Sequence, residues 1–363
     1  MRSAPRSPRL RRSDCSAPGL QRVRRGRGFS FLDAQGQAVS DEEILQRIRG
    51  LGIPPAWQEV WICADPRGHL QATGIDAAGR KQYLYHPVWR ELRDRQKFET
   101  MEEFAVALPR LRREVSTDLE STDGLRRERV LACAARLLDV GFFRIGGQEY
   151  AKEDGGVGLA TLRREHVSFD DGSAVFSYPA KSGVRRHHSV ADPDVLAVLT
   201  PLRRRRSGPD ELLAYRDGRN WHALHSDEIN DYVKRHLGPE FSAKDFRTWN
   251  ATVLAAVSLA RHAEDAKSLR TQTSRKRVLS AVAREVAELL GNTPAVARRS
   301  YIDPRVFDRY LNRWTINDTM KPLELGRLDE TSEQRRRRVE LAVLKLLDDE
   351  RDVRVLRHLP AAA

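Results

Sequence analysis

The residue with the most chemical promise is Tyr301. It closes the stretch Gly291-Asn292-Thr293-Pro294-Ala295-Val296-Ala297-Arg298-Arg299-Ser300-Tyr301. A phenol attacks only as its phenolate, and an unperturbed tyrosine has a pKa of ~10, so it needs cations nearby. Cations lie upstream. Arg144 stands between Phe143 and Ile145, so part of its side chain is expected in the interior, where a guanidinium needs an anionic partner. Lys181 falls at or near a hairpin tip, and Arg247 sits in Lys244-Asp245-Phe246-Arg247-Thr248, ahead of an apolar helix. A separate cluster, Arg80, Lys81, Tyr83, Tyr85 and His86, reads as an amphipathic edge strand or as a nucleic-acid face. Taken alone, a tyrosine between two helices is most simply a packed core residue, and a lysine in a turn most simply a solvated one.

The elements around these residues have local signatures. Leu279, Val282, Val286, Leu289 and Leu290 recur at helical spacing, and Gly291 supplies a stop. Thr293 can cap a following helix, and Pro294 suits its first position. Asp303-Pro304 starts another helix at once, which leaves Tyr301 at a helix–helix junction. Residues 125–140 read as a helix ended by Gly141. Residues 167–169, 175–178 and 184–190, joined by turns, read as a three-stranded antiparallel sheet. Further helices are expected over 227–237, from Ala251 to about His262, and over 332–359. The run Arg203 to Arg206 is expected as a solvated loop.

Upstream, residues 29–92 read as a small β-rich unit. A hairpin is expected around the turn Ala34-Gln35-Gly36, then a helix opened by Ser40-Asp41-Glu42-Glu43. Strands follow at 59–63, 70–73 and 81–85, and a meander with the helix packed on it is the simplest assembly. Residues 93–120, charged and helical, are expected to link this unit to a mainly helical one over 93–363. Residues 1–28 are Arg-, Ser-, Pro- and Gly-rich and are expected as a flexible basic arm.

Composition narrows the function classes. The chain has 363 residues, 40% hydrophobic and 32% charged, enough for two or three domains with a core. No apolar run approaches the ~20 residues of a membrane span. The net charge of +13 points to a polyanionic partner, although residues 1–28, with nine Arg and one Asp, hold +8 of it. Cys15, Cys63 and Cys133 are far apart and odd in number, which suits a reducing cytoplasm and offers no CxxC metal spacing. His187-His188 and His222/His225 lack ligand partners at metal spacing. A GxxxxGK[ST] phosphate loop is missing, so nucleotide hydrolysis has no support.

The order and spacing of several short motifs resemble the bacterial and poxvirus-like type IB DNA topoisomerases over roughly residues 29–345. The matching stretches are Leu51-Gly-Ile-Pro-Pro-Ala-Trp57, Gly68-His-Leu-Gln-Ala-Thr-Gly74, Gly79-Arg-Lys-Gln-Tyr-Leu-Tyr-His-Pro87, Phe143-Arg-Ile-Gly146, Gly158-Leu-Ala-Thr-Leu162, Lys244-Asp-Phe-Arg-Thr248, Gly291-Asn-Thr-Pro294 and Ser300-Tyr301. The resemblance implies an α+β protein: a small β-rich N-terminal lobe and a larger, mainly α-helical catalytic lobe, closing as a clamp around duplex DNA. It implies that Tyr301, Arg144, Lys181, Arg247 and Asn292 are catalytic. Tyr301 would be the nucleophile that forms a 3′-phosphotyrosyl ester, and Arg144 and Arg247 would meet the phosphate oxygens bidentately. Lys181 would be the general acid for the leaving 5′-oxygen. Lys244, Tyr150 and Thr161 match positions expected at the DNA backbone, with Arg80, Lys81 and Tyr83 on a reading face.

Many relatives carry His where Asn292 stands. Asn can only donate or accept hydrogen bonds, so Asn292 is expected as a donor to a phosphate oxygen. The ester conserves the phosphodiester energy, so neither ATP nor metal is needed, and no cofactor is expected. The enzyme is expected to be a monomer that acts on double-stranded DNA at the cytoplasmic nucleoid, with no membrane partner. A tyrosine recombinase or integrase shares the Arg, Lys, Arg and Tyr chemistry. It usually has His-x-x-Arg where this chain has Lys244-x-x-Arg247, and a helical N-terminal domain. A non-catalytic DNA-binding protein is the remaining alternative.

Overall fold

The computed structural model of the protein describes residues 9–121, 124–147, 156–180, 183–265, 271–318 and 332–348. The chain forms two compact units, Met1–Phe98 and Glu99–Ala363.

The first unit is built on a five-stranded antiparallel sheet in the order β2-β1-β3-β4-β5. The strands are β1 (Leu20–Arg25), β2 (Gly28–Leu32), β3 (Gln58–Ile62), β4 (Leu70–Ile75) and β5 (Lys81–Tyr85). One helix, α1 (Glu42–Gly50), packs on it; the Asp41 carboxylate caps it by accepting from the Glu43 and Ile44 amides. Leu20, Ile48, Val60, Ile62 and Ala72 form the core, with Ile44, Trp57 and Leu84 packed around them.

Residues 9–28 do not form the flexible arm expected from composition. Strand β1 lies inside the sheet, between β2 and β3, with Leu20 buried opposite Ile62. Ahead of it, Arg11 bridges Gly68, and the Ser13 hydroxyl donates to the Leu70 carbonyl and accepts from its amide. Trp61 Nε1 donates to the Ala17 carbonyl, and Trp61 fills the space a Cβ at Gly19 would need. The physical reason is that two apolar residues, Leu20 and Val23, suffice when neighbouring strands supply the rest of the core. The expected hairpin at Ala34–Gly36 is present as a single Leu32–Ala38 bridge, because β2 pairs chiefly with β1.

The second unit is mainly helical. Helix α2 (Pro87–Glu120) is 34 residues long, and buries Met101, Phe104, Leu108, Leu111, Val115 and Leu119. Residues 93–120 are thus helical, as expected, and contribute core as well, with the boundary between the units falling within the helix. Helix α3 (Arg127–Gly141) is buried over most of its length. It packs against α4 (Pro193–Arg204), α5 (Ser226–Leu237) and α6 (Ala243–Glu264). Strands β6 (Val167–Asp170), β7 (Ser173–Pro179) and β8 (Arg185–Val190) form the expected antiparallel sheet. A hairpin of β9 (Ala214–Asp217) and β10 (Asn220–Ala223) is additional. Helices α7 (Gln272–Leu290), α8 (Pro294–Ser300), α9 (Pro304–Leu311) and α10 (Ser332–Leu347) complete it. Among the described residues no helix is long and apolar enough to cross a membrane.

Two charged features are interior. Arg205, expected in a solvated loop, is buried and donates to the carbonyls of Leu202, Pro209, Glu211 and Leu212. These loop carbonyls would otherwise lack partners, which is why a cation is drawn inward. Arg112 donates to both Asp139 and Glu340, and Arg336 also reaches Asp139, so α2, α3 and α10 meet at one buried ionic cluster.

Candidate active site

Tyr301 is placed by two helix ends. Helix α7 stops at Gly291, whose φ of 62° is left-handed. That conformation suits glycine because it has no Cβ. The Asn292 amide then donates to the Ala287 carbonyl, and Thr293 caps α8 by accepting from the Val296 amide. Tyr301 ends α8, and Asp303 caps α9 through the Arg305 amide. Thr252, in the middle of α6, ties this junction to the core. Its hydroxyl accepts from the Asp303 amide at 3.1 Å and has the Thr248 carbonyl at 3.0 Å and the Tyr301 carbonyl at 3.4 Å as acceptors for its one proton.

Arg144 arrives on the segment after α3. That helix ends with Phe142 at φ 55°, which turns the chain sharply and sends Phe143 into the interior against Phe176, Tyr178 and His188. Gly146 and Gly158 touch backbone to backbone, with no room for a Cβ on either. The Leu159 amide donates to the Arg144 carbonyl at 2.8 Å, which fixes the Arg144 backbone. The Arg144 guanidinium donates through Nη2 to the Gly291 carbonyl at 2.9 Å and to Asn292 Oδ1.

Arg247 lies inside α6, because that helix begins at Ala243 rather than at the expected Ala251. It is 3% exposed and has no carboxylate partner in its hydrogen bonds. Its Nη1 donates to the Phe142 carbonyl at 2.5 Å and its Nη2 to the Leu290 carbonyl at 2.9 Å. Its Cζ is 5.2 Å from the Tyr301 ring centroid. Burial, then the repulsion of Arg144, pushes its pKa down to about 10, so it stays charged at neutral pH.

The electrostatics converge on the phenol. Burial alone would raise the Tyr301 pKa. The charges of Arg247 and Arg144, with hydrogen bonding by Arg247 and Asn292, outweigh that and bring it below the ordinary tyrosine value. Arg247 Nε is buried without a hydrogen-bond acceptor among the described residues, so its guanidinium keeps a donor that an anion could take.

The structure brings together Arg144, Arg247, Asn292 and Tyr301. Lys181 and Tyr150 lie outside the described residues. Lys244 is exposed on the first turn of α6, three residues before the buried Arg247. The Thr161 hydroxyl closes a local turn, bonded to the Gly158 amide and carbonyl. In the first unit, Lys81, Tyr83 and Tyr85 alternate outward along β5. Tyr83 and Tyr85 stack at 6.3 Å, and Lys81 sits over Tyr83. Arg80 pairs with Asp76 at 3.1 Å. Sequence reasoning missed Arg186 on β8, which faces Tyr178 across the β7–β8 pair. The run Arg185-Arg186-His187-His188 has no polar–apolar alternation, so nothing in the sequence singled Arg186 out.

Over residues 86–321 the chain matches the family described as eukaryotic DNA topoisomerase I, catalytic core. Over residues 28–76 it matches the bacterial DNA topoisomerase IB, N-terminal domain. It is 26% identical over 299 residues to DNA topoisomerase 1B of Acanthamoeba polyphaga mimivirus, covering 81% of this chain and 88% of that protein. It is 24% identical over 282 residues to DNA topoisomerase 1B of Vaccinia virus (strain Copenhagen), covering 74% and 83%. A shorter match, 29% over 168 residues, covers 46% of this chain and 19% of DNA topoisomerase 1 of Schizosaccharomyces pombe.

Proposed function

The chain belongs to the type IB DNA topoisomerases, and from that premise we propose that it relaxes supercoiled duplex DNA by reversible transesterification at Tyr301. The Tyr301 oxygen forms a bond to the phosphorus of a DNA strand. The bond from phosphorus to the 5′-oxygen breaks, and the products are a 3′-phosphotyrosyl ester and a 5′-hydroxyl. The phenol gives up its proton and the leaving oxygen takes one, with Lys181 as the donor. The reverse reaction reseals the strand. One phosphoester replaces another, so the cycle needs neither nucleotide hydrolysis nor a metal.

The observation that carries this reading is the half-buried Tyr301 phenol beneath Arg247 and Arg144, with an unpaired Nε–H on Arg247 and the Asn292 amide beside it. Without DNA, the two guanidiniums bond backbone carbonyls. A scissile phosphate would offer them charged oxygens and stronger hydrogen bonds. As charge grows on the non-bridging oxygens, Arg144 and Arg247 neutralise it and Asn292 adds a neutral donor. Lys81, Tyr83 and Tyr85 would contact the duplex from the first unit, Arg80 on leaving Asp76. Lys244, Tyr150 and Thr161 would touch its backbone from the second. In this reading the two units close as a clamp on the DNA, and a single copy acting at the nucleoid suffices.

The test is relaxation of a supercoiled plasmid with chelator present and no nucleotide, beside mapping of the residue joined to the 3′ end. Parent protein should yield topoisomer ladders and an adduct at Tyr301, and Tyr301→Phe should yield neither. An adduct on Tyr301→Phe, or relaxation at the parental rate, would sink the assignment.

A further inference from the structure

The C-terminal turn of α7 is held by arginines at four successive carbonyls. Arg186 Nη1 donates to Glu288 O at 2.7 Å and its Nη2 to Leu289 O at 2.5 Å. Arg247 takes Leu290 O, and Arg144 takes Gly291 O. Of these carbonyls Glu288 O also accepts from the Gly291 amide at 3.1 Å; a helix end leaves its last carbonyls short of intrahelical partners and carries partial negative charge, so three cations fit there. Arg247 and Arg144 act on Tyr301, and the charge of Arg186 bears on Tyr178, His188 and Arg247.

The packing around Arg186 is specific. A Cβ on Gly291 would sit 2.9 Å from its Nη1 and 3.0 Å from its Cδ, so the glycine leaves room for the guanidinium as well as adopting positive φ. Arg186 lies directly across the strand pair from Tyr178, which stacks on Phe143, the residue preceding Arg144. One side chain thus joins β8 to the turn that presents Asn292, and touches the wall that supports Arg144.

We propose that Arg186 is a positioning residue for the transesterification: it clamps the end of α7 to β8 and so holds Asn292 and the Gly291 carbonyl where Arg144 and Tyr301 require them. This rests on the Tyr301 reading above. Without Arg186, the turn is free to shift, Arg144 loses its fixed acceptors, and the phenolate loses part of its support.

The experiment is single-turnover cleavage of a duplex across pH, with DNA affinity and melting temperature measured on the same samples. Arg186→Ala should slow cleavage on the order of tenfold to a hundredfold, the scale expected for a small misplacement of reacting groups. DNA affinity at fixed salt should stay within about threefold. The rising limb of the pH profile should move to higher pH. Arg186→Lys, which restores the charge and one carbonyl bond, should recover part of the rate. Gly291→Ala, which displaces the guanidinium while leaving it present, should slow cleavage too, and its effect should be sub-additive with Arg186→Ala. Parental cleavage rate and pH profile in Arg186→Ala would overturn the proposal. So would a rate loss that merely follows the unfolded fraction, with no pH shift and no rescue by lysine. Tyr301→Phe run alongside separates the failures: an adduct there sinks the nucleophile itself, whereas an inert Tyr301→Phe with a normal Arg186→Ala sinks only the role of Arg186.

Discussion

Arg247 is a charge buried without a counterion in its hydrogen bonds. Among the described residues its partners are two carbonyls and the ring and phenol oxygen of Tyr301. Such a cation is stable only because those dipoles replace water, and it gains most when a phosphate arrives. Arg144 differs: it is partly exposed and shares its guanidinium between a carbonyl and Asn292. Arg144→Ala removes a charge from the transition state, so cleavage should fall on the order of 100–1000-fold. Asn292→Ala removes a neutral donor and leaves Arg144 bonded to Gly291 O, so its loss should be much smaller. Single-turnover rates decide, and equal losses would refute the ranking. The pH dependence has a defined sign. The Tyr301 pKa is held below its ordinary value chiefly by Arg247 and Arg144 against burial, so cleavage should rise with pH along a limb centred below ~10. Removing Arg144 should move that limb to higher pH. A limb that stays in place would take Arg144 out of the phenol's environment.

At the scale of elements, the site is an assembly of helix ends. The end of α7, the end of α8 and the start of α9 all lie within residues 290–304. Helix ends leave donors and acceptors unused, and side chains from α6, β8 and the segment after α3 answer them. Thr252 is the pin on α6. Thr252→Val keeps the shape but leaves the buried Asp303 amide without its acceptor. The stability loss should be ~1–3 kcal/mol by urea denaturation, with slower cleavage because the Asp303 end of the Tyr301 junction is no longer tied to α6. Unchanged stability would mean that the amide finds another acceptor. Much of this element level was legible in advance. The stop at Gly291, the Thr293 cap and Pro294 at the first turn are local signals, and all three operate as read. The true start of α6 was not legible. Ala243–Asn250 carries polar and aromatic residues that look like a loop, and burial against other helices makes it helical.

At the scale of the whole chain, two features bear on stability. The first is the cluster of Arg112, Asp139, Arg336 and Glu340, which binds the C-terminal α10 to α2 and α3. Burial would raise the Asp139 pKa, but Arg336 and Arg112 outweigh it and hold it at about 2. A depressed folded pKa contributes stability above the unfolded value near 3.9, and that contribution is lost as pH falls through the folded value. Stability should therefore drop between about pH 4 and pH 2, by roughly 2 kcal/mol from this group. Glu340→Ala should cost ~3–5 kcal/mol at neutral pH, since it leaves Arg112 buried and under-paired. Denaturant melts check both, and a neutral Glu340→Ala would show that the cluster is dispensable. The second feature is the N-terminal segment. Removing residues 1–8 takes away two arginines, Arg2 and Arg6, and should flatten the salt dependence of DNA binding by at most ~2 in slope. Removing 1–28 also takes β1 out of the sheet and should unfold the first unit, seen as a lost melting transition.

The sequence by itself placed a tyrosine between two capped helices, because caps and turns act over a few positions, and its motif order carried the family resemblance. Only the tertiary structure decided which charges are buried. Arg205 and Arg247 are buried and Arg186 half-buried, and in a chain with 64 lysines and arginines nothing local marks them as such. Each is drawn in by carbonyls from elements distant in sequence, and the strand in the basic N-terminal stretch is likewise held by neighbours it cannot foresee. A hydrogen-bond deficit at the end of one element is a property of the assembled fold, and local composition carries no trace of it.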